Sequence, residues 1–132
     1  WRSDEIVVVA AAGHPLAERR AGARQLNHAT WVLREPGSGT REASDRWLIP
    51  HLTQMEVELE LGSNEAVKRV VAAGLGLGCL SRLAVKEAIA EGWLVELATT
   101  LPPMQRTLSI VLHRAKKLGA AAEGFLRHCT TD

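Results

Sequence analysis

Six consecutive apolar residues, Ile6-Val7-Val8-Val9-Ala10-Ala11, constrain this chain more than any other stretch. The run is rich in β-branched side chains and shows no alternation, so it reads as a strand covered on both faces. Such a strand needs a packing layer above it and another below. Gly13-His14-Pro15 closes the run, because proline lacks the ladder donor and restricts the residue before it.

The remaining elements supply those layers. Trp31-Val32-Leu33-Arg34 reads as a second short strand. After the Pro36-Gly37-Ser38-Gly39-Thr40 turn a helix starts near Thr40, with Ala43, Trp47 and Leu48 inward and Arg41, Glu42 and Asp45 outward, and Pro50 stops it. Residues 55–61 alternate Met55, Val57, Leu59 and Leu61 with Glu56, Glu58 and Glu60. This is a half-buried strand whose glutamate face also deters edge pairing. Ser63 caps the next helix, which carries an apolar stripe of Ala66, Val67, Val70 and Val71. Glu65 and Arg69 stand at the i,i+4 spacing of an ion pair, and Gly74 ends the helix. Residues 77–80 form a buried-type strand, and residues 83–90 a helix with Val85, Ala88 and Ile89 inward. Residues 93–97 are extended, and Pro102-Pro103 breaks the chain. Residues 107–113 return as a strand with Leu108, Ile110 and Leu112 on one face. Residues 118–129 form an amphipathic helix with Leu118, Ala122, Phe125 and Cys129 on one side. Alternating strands and helices predict an α/β fold with a mixed, mostly parallel sheet.

Size and charge narrow the function. A chain of 132 residues, 46% hydrophobic and 23% charged, supports one compact core. A net charge of +1 argues against a nucleic-acid binder in its own right. The local basic groups, Arg19, Arg20 and Arg24, and Arg114, Lys116 and Lys117, read as solvated faces. Cys79 and Cys129 form neither a CxxC pair nor a disulfide framework, which points to a reducing cytoplasm. No apolar run reaches the ~18–20 residues needed to span a membrane. The chain opens at Trp1 without an initiator methionine, which suggests a fragment or processed product, so the lack of a signal peptide carries no information.

No catalytic machinery, metal site or cofactor is expected. His14, His28, His51, His113 and His128 lack metal-ligand spacing. Ser38 and Ser81 lack a nucleophile's frame, and Glu56, Glu58 and Glu60 read as a solvated edge rather than an acid/base pair. Gly74-Leu75-Gly76-Leu77-Gly78 resembles a dinucleotide loop but follows a helix and opens a strand, the reverse of that motif's order, with Cys79 where the third glycine belongs. It reads as a helix stop and a tight strand entry. Gly37-Ser38-Gly39-Thr40-Arg41 has the opposite order, strand, glycine turn, helix. Helix-terminal N–H groups, the hydroxyls of Ser38 and Thr40, and the charge of Arg41 suit an anion or carboxylate. A plain Ser or Thr N-cap fits the same residues.

The assembled pattern resembles the LysR-type transcriptional regulators. Asp4-Glu5-Ile6-Val7-Val8-Val9 with Gly13-His14-Pro15-Leu16-Ala17 is similar to the family's interdomain strand and the turn after it. Leu26 and the segment from Trp31-Val32-Leu33-Arg34 to Ser38-Gly39-Thr40-Arg41 resemble its next conserved block. Leu61-Gly62-Ser63-Asn64-Glu65-Ala66-Val67-Lys68, then Val70-Val71-Ala72-Ala73-Gly74-Leu75-Gly76-Leu77-Gly78-Cys79-Leu80-Ser81, and Gly92-Trp93-Leu94-Val95 continue the series over nearly the whole chain. Ser81 departs from the family, where many members carry proline. The family's N-terminal winged helix-turn-helix and the first half of its effector domain have no counterpart here.

The resemblance implies a periplasmic-binding-protein-like fold (type 2), with the effector between two α/β subdomains. It implies that residues 12–105 form subdomain II, that residues 5–11 and 106–113 are crossover strands, and that the helix at 118–129 belongs to subdomain I. The implied effector-binding residues are Ser38, Gly39, Thr40 and Arg41 at the turn, and Cys79, Leu80 and Ser81 at a strand end, where α/β folds place ligands. The implied partners are a small-molecule effector, DNA through the missing N-terminal domain, and a homo-oligomer, dimer or tetramer. The helix from Asn64 and the strand at 55–61 are its natural surfaces. The alternatives are a periplasmic-type solute-binding protein for a small anion, or an enzyme on the same fold.

Overall fold

The computed structural model describes residues 1–115 and 117–131. Six strands, β1 (Arg2–Ala11), β2 (Thr30–Arg34), β3 (Glu56–Leu61), β4 (Leu77–Ser81), β5 (Leu94–Glu96) and β6 (Met104–Leu108), form one sheet. The helices are α1 (Ala23–Asn27), α2 (Gly39–Leu48), α3 (Asn64–Ala72), α4 (Arg82–Ala90) and α5 (Ala120–Thr130), with a 3-10 turn at Pro15–Glu18.

The apolar run becomes the centre of β1, and β1 organises the sheet. The sheet order is β3-β2-β4-β1-β5, with β6 also on β1. One edge of β1 pairs with β4 over residues 6–9. The other edge is shared, with β6 along residues 2–6 and β5 along residues 9–11. All three pairings of β1 are antiparallel, whereas β2 pairs with β3 and β4 in parallel. Five strands therefore run one way and β1 runs against them, which makes the sheet mixed.

Period-two alternation splits β1 between two cores. Ile6, Val8 and Ala10 pack with Leu26 of α1, Ala43, Trp47 and Leu48 of α2, and Trp31, Leu33, Leu77 and Cys79 of the sheet. Val7 and Val9 face the other way, against Val67 and Val71 of α3 and Val85 and Ala88 of α4. The glycines between α3 and β4 are structural, as their order implies. At Gly76, with φ +153°, a Cβ would lie 2.7 Å from the Thr30 carbonyl oxygen. At Gly78 it would lie 3.0 Å from Val71 Cγ2 and 3.1 Å from Val9 Cγ2.

Several expectations need correction. The strand expected at residues 107–113 is found at Met104–Leu108, paired with β1 from Ile6↔Met104 to Arg2↔Leu108. Ile110, Val111 and Leu112 lie past that ladder and are exposed, Val111 to 88%. The last helix forms, but its apolar stripe is uncovered: α5 buries no residue and Phe125 is 70% exposed. A hydrogen bond from the Trp1 indole N–H to the Cys129 carbonyl, at 2.5 Å, ties it to the N-terminus. Glu65 does not pair with Arg69. Lys68 is buried, donates to the Ala84 carbonyl and takes Glu65 as its ion partner at 2.5 Å, while Arg69 lies over the Trp93 ring at 4.6 Å. On β3, Val57 and Leu61 are half-buried but Leu59 is exposed, because this strand is the sheet's edge. Arg19, Arg20, Arg24, Arg114 and Lys117 are exposed, whereas Lys116 lies outside the described residues.

Gly76→Ala is expected to destabilise the chain by about 1–3 kcal/mol in urea unfolding, through backbone strain and the Thr30 clash. Gly62→Ala meets no atom within 4 Å and has no positive φ, so its effect should stay within about 0.5 kcal/mol. Equal effects would contradict the structural reading of the glycine series.

Candidate functional site

β2 delivers the chain to a tight turn at the head of α2. The Ser38 N–H donates to the Glu35 carbonyl at 3.2 Å, and the Glu35 N–H donates to the Leu61 carbonyl at 3.1 Å. Gly37, at φ +92°, supplies the left-handed step. Ser38 then caps the helix, its Oγ accepting from the Thr40 N–H at 3.2 Å and the Arg41 N–H at 3.3 Å. The cap reading of this turn is thus realised, and it occupies two of the helix-terminal amides. The Gly39 N–H and the Thr40 hydroxyl form no hydrogen bond within the described residues.

Three side chains join this turn to the end of β4. Ser44 Oγ donates to the Thr40 carbonyl at 2.9 Å and to the Cys79 carbonyl at 3.3 Å. Ser81 Oγ donates to Asp4 Oδ1 at 2.8 Å, and Arg106 Nε donates to Asp4 Oδ2 at 2.8 Å. Arg106 Nη1 reaches the Gly39 carbonyl at 3.4 Å. The structure therefore brings Ser38, Gly39 and Thr40 close to Ser81, through Ser44, Asp4 and Arg106.

The other expected residues stand differently. Arg41 is engaged on the β3 side: Nε donates to both Asp45 oxygens, at 2.9 and 3.0 Å, and Nη1 to the Arg34 carbonyl and to Glu60. Burial disfavours the Arg41 charge, but Glu60 and Asp45 outweigh it and hold its pKa above the usual guanidinium value. The Cys79 side chain lies inside the α2 core, and Leu80 points into the opposite core beneath α3 and α4. The Cys79 carbonyl, rather than either side chain, is what reaches the turn, through Ser44.

Asp4, Ser44 and Arg106 are the residues that sequence reasoning missed. Their signal is faint. Asp4 is in phase with Ile6 and Val8, and Arg106 is in phase with Met104 and Leu108, so each is a charge at an inward position. Gly37 and Gly39 are exposed at this turn, whereas Ser38 and Thr40 are each only 8% exposed. A cavity of ≈ 220 Å³ beside Glu5, Arg82 and Glu96 and one of ≈ 190 Å³ beside Asp4 and Gln105 do not include residues 38–40. Among the described residues no group of three His, Cys, Asp or Glu side chains is placed to hold a metal ion, and no helix is long and apolar enough to cross a membrane.

Comparison with known proteins bears on this geometry. The family model for the LysR substrate binding domain matches residues 1–132. An uncharacterized HTH-type transcriptional regulator, YeiE of Escherichia coli (strain K12), is 46% identical over 129 residues, 98% of this chain and 44% of that protein. A RuBisCO operon transcriptional regulator of Acidithiobacillus ferrooxidans is 36% identical, over 97% of this chain and 42% of its own length. The chain thus spans less than half of these curated relatives. Among solved structures, the Synechocystis PCC6803 CcmR regulatory domain in complex with 2-PG superposes with a TM-score of 0.74 at 32% identity, covering 96% of this chain and 61% of that one. The effector binding domain of QuiR in complex with shikimate gives a TM-score of 0.71 at 18% identity, covering 94% and 58% of the two chains, a likeness of fold.

Burial pushes the Cys79 thiol up to about 12 from 9.0, with the Ser44 hydrogen bond pulling it down. Between these values the unfolded chain has lost the thiol proton and the folded chain keeps it, so stability falls as pH rises. Urea melts from pH 9 to pH 12 should show a shallower fall for Cys79→Ala than for the wild type. Near neutral pH, iodoacetamide should label Cys129 and spare Cys79 until the chain unfolds. Fast native labelling of Cys79 would overturn its placement.

Proposed function

This chain belongs to the LysR substrate-binding domain family, and from that premise we propose that it senses a small anionic effector for a transcription regulator. In this reading residues 12–105 are the second subdomain, and residues 5–11 and 106–113 carry the crossover strands; β1 and β6 overlap these stretches and pair over residues 2–6 and 104–108. The helix at residues 118–129 belongs with the first subdomain. The effector meets Ser38, Gly39 and Thr40 together with the β4 end at Ser81.

The observation that carries this reading is the placement of open donors beside a cation. The Gly39 N–H and the Thr40 hydroxyl lie at the positive end of α2, and the Arg106 guanidinium sits on the Gly39 carbonyl. A carboxylate or phosphate oxygen is the complementary partner. The CcmR domain, at 32% identity, is described in complex with 2-PG, which is such an anion. The curated relatives are HTH-type regulators, which favours effector sensing over solute transport. DNA contact then falls to a helix-turn-helix segment outside this chain, in keeping with the net charge of +1. The regulator works as a dimer or tetramer, with α3 and β3 as the available pairing surfaces.

Titration calorimetry with 2-phosphoglycolate tests the site. Thr40→Val removes a hydroxyl that has no internal hydrogen bond, so affinity should fall about tenfold, the equivalent of one hydrogen bond of ~1.4 kcal/mol, with little change in melting temperature. Unchanged affinity in Thr40→Val would remove the turn from the binding surface. If 2-phosphoglycolate, inorganic phosphate and simple carboxylates all fail to bind the full-length gene product, the anionic effector is wrong.

A further inference from the structure

The buried carboxylate of Asp4 plays no part in the sheet's ladder, yet its side chain is 0% exposed. A charge so buried persists only when both oxygens are partnered. Here each oxygen is held by a different element. Ser81 at the end of β4 donates to Oδ1, and Arg106 on β6 donates to Oδ2. Asp4 and Arg106 are direct cross-strand partners in the β1–β6 ladder. Arg106 then reaches past Asp4 to the first residue of α2, at the Gly39 carbonyl. One carboxylate thus ties β1, β4, β6 and α2 together within two hydrogen bonds.

We propose that Asp4 is the positioning residue of the effector turn, holding Arg106 across the head of α2 and so linking that turn to the β1–β6 pair. This rests on the effector reading above and extends it to Asp4, a residue that contacts no ligand itself. The link has a direction. Arg106 lies 3.4 Å from the Gly39 carbonyl, the long end of a hydrogen bond, whereas its bond to Asp4 is 2.8 Å. An anion at Gly39 and Thr40 offers the guanidinium a stronger acceptor than that carbonyl. Arg106 then turns toward the anion while Asp4 holds its Nε, and the strain passes into β6 and β1. A shift of this kind needs only that the anion bind the two arrangements with different affinity.

Asp4→Asn keeps the shape of the side chain and removes its charge. Two readouts are taken on the same chain. In hydrogen–deuterium exchange without ligand, peptides covering residues 37–44 should exchange several-fold faster in Asp4→Asn. In calorimetry, Asp4→Asn and Arg106→Gln should each weaken 2-phosphoglycolate binding about tenfold, and the double variant should lose no more than the weaker single, because the two act as one unit. Arg82→Gln breaks the neighbouring pairs with Glu5 and Glu96 and should leave both readouts unchanged. Unchanged exchange at the head of α2, or losses that multiply in the double variant, would overturn the positioning role. If Asp4→Asn fails to fold, Arg106→Lys carries the test: it keeps the charge, loses the fork, and should raise exchange at residues 37–44 and weaken binding, and a wild-type result in both overturns the proposal. Absence of 2-phosphoglycolate binding in the wild type refutes the effector reading, and the tie then stands or falls on the exchange alone.

Discussion

Burial of β1 on both faces is the constraint on which the rest of the structure depends. Ile6, Val8 and Ala10 face one helix layer and Val7 and Val9 the other. Each fully buried Val or Ile contributes roughly 1.5–3 kcal/mol, so the strand is stable only when both layers are in place. β1 is also the strand on which β4, β5 and β6 converge. Its centre cannot shift without disturbing two cores and three ladders. A side chain just outside that centre inherits its position, and Asp4 stands two residues before Ile6. The proposed effector wall is thus set by the same residues that set the core.

The arginines divide into two kinds by what their carboxylates can see of water. Arg34 with Glu35, and Arg82 with Glu5 and Glu96, pair at sites open enough for solvent to screen them. Solvent screening leaves pairs of that kind little net effect on stability. Glu35 is held below the usual carboxylate range by its hydrogen bonds from Arg34, yet it sits at the surface, so this says more about geometry than about stability. Asp4 differs because no water reaches it. Losing Arg106 would strand its charge, which is the costly case for a buried pair. Arg41 stands between the two kinds: its partners Asp45 and Glu60 fasten α2 to the sheet edge, leaving the head of α2 to Arg106.

Much of this was legible in the sequence, for physical reasons that also mark where legibility ended. The run at residues 6–11, the Ser38 and Ser63 caps and the Gly74 helix stop are local, and their physics acts between near neighbours. The anion reading of residues 38–40 rests on the same local features and stays part of the proposal. The Asp4–Arg106 pair was not, because its partners are 102 residues apart and only strand register makes them neighbours. The Glu65 pairing was misread because i,i+4 spacing favours Arg69 on an isolated helix, whereas tertiary packing buries Lys68 beside Glu65. Residues 109–113 lie beyond the last described pair of the β1–β6 ladder, Arg2 and Leu108, and are exposed.

In the proposed reading, charge placement rather than net charge suits this chain to sensing an anion. A formal charge of +1 gives little long-range attraction for an anion. Selection then falls to short-range groups: the positive end of α2, the open Gly39 N–H and Thr40 hydroxyl, and the Arg106 guanidinium. Asp4 reduces the net field of Arg106 while fixing where it points, so discrimination depends on geometry more than on attraction. Such a site rejects ligands that carry the right charge but hold it in the wrong place. In the proposed reading binding is also mechanical, because Arg106 lies on β6 and is bonded to Asp4 of β1. In this arrangement recognition and response pass through the same guanidinium.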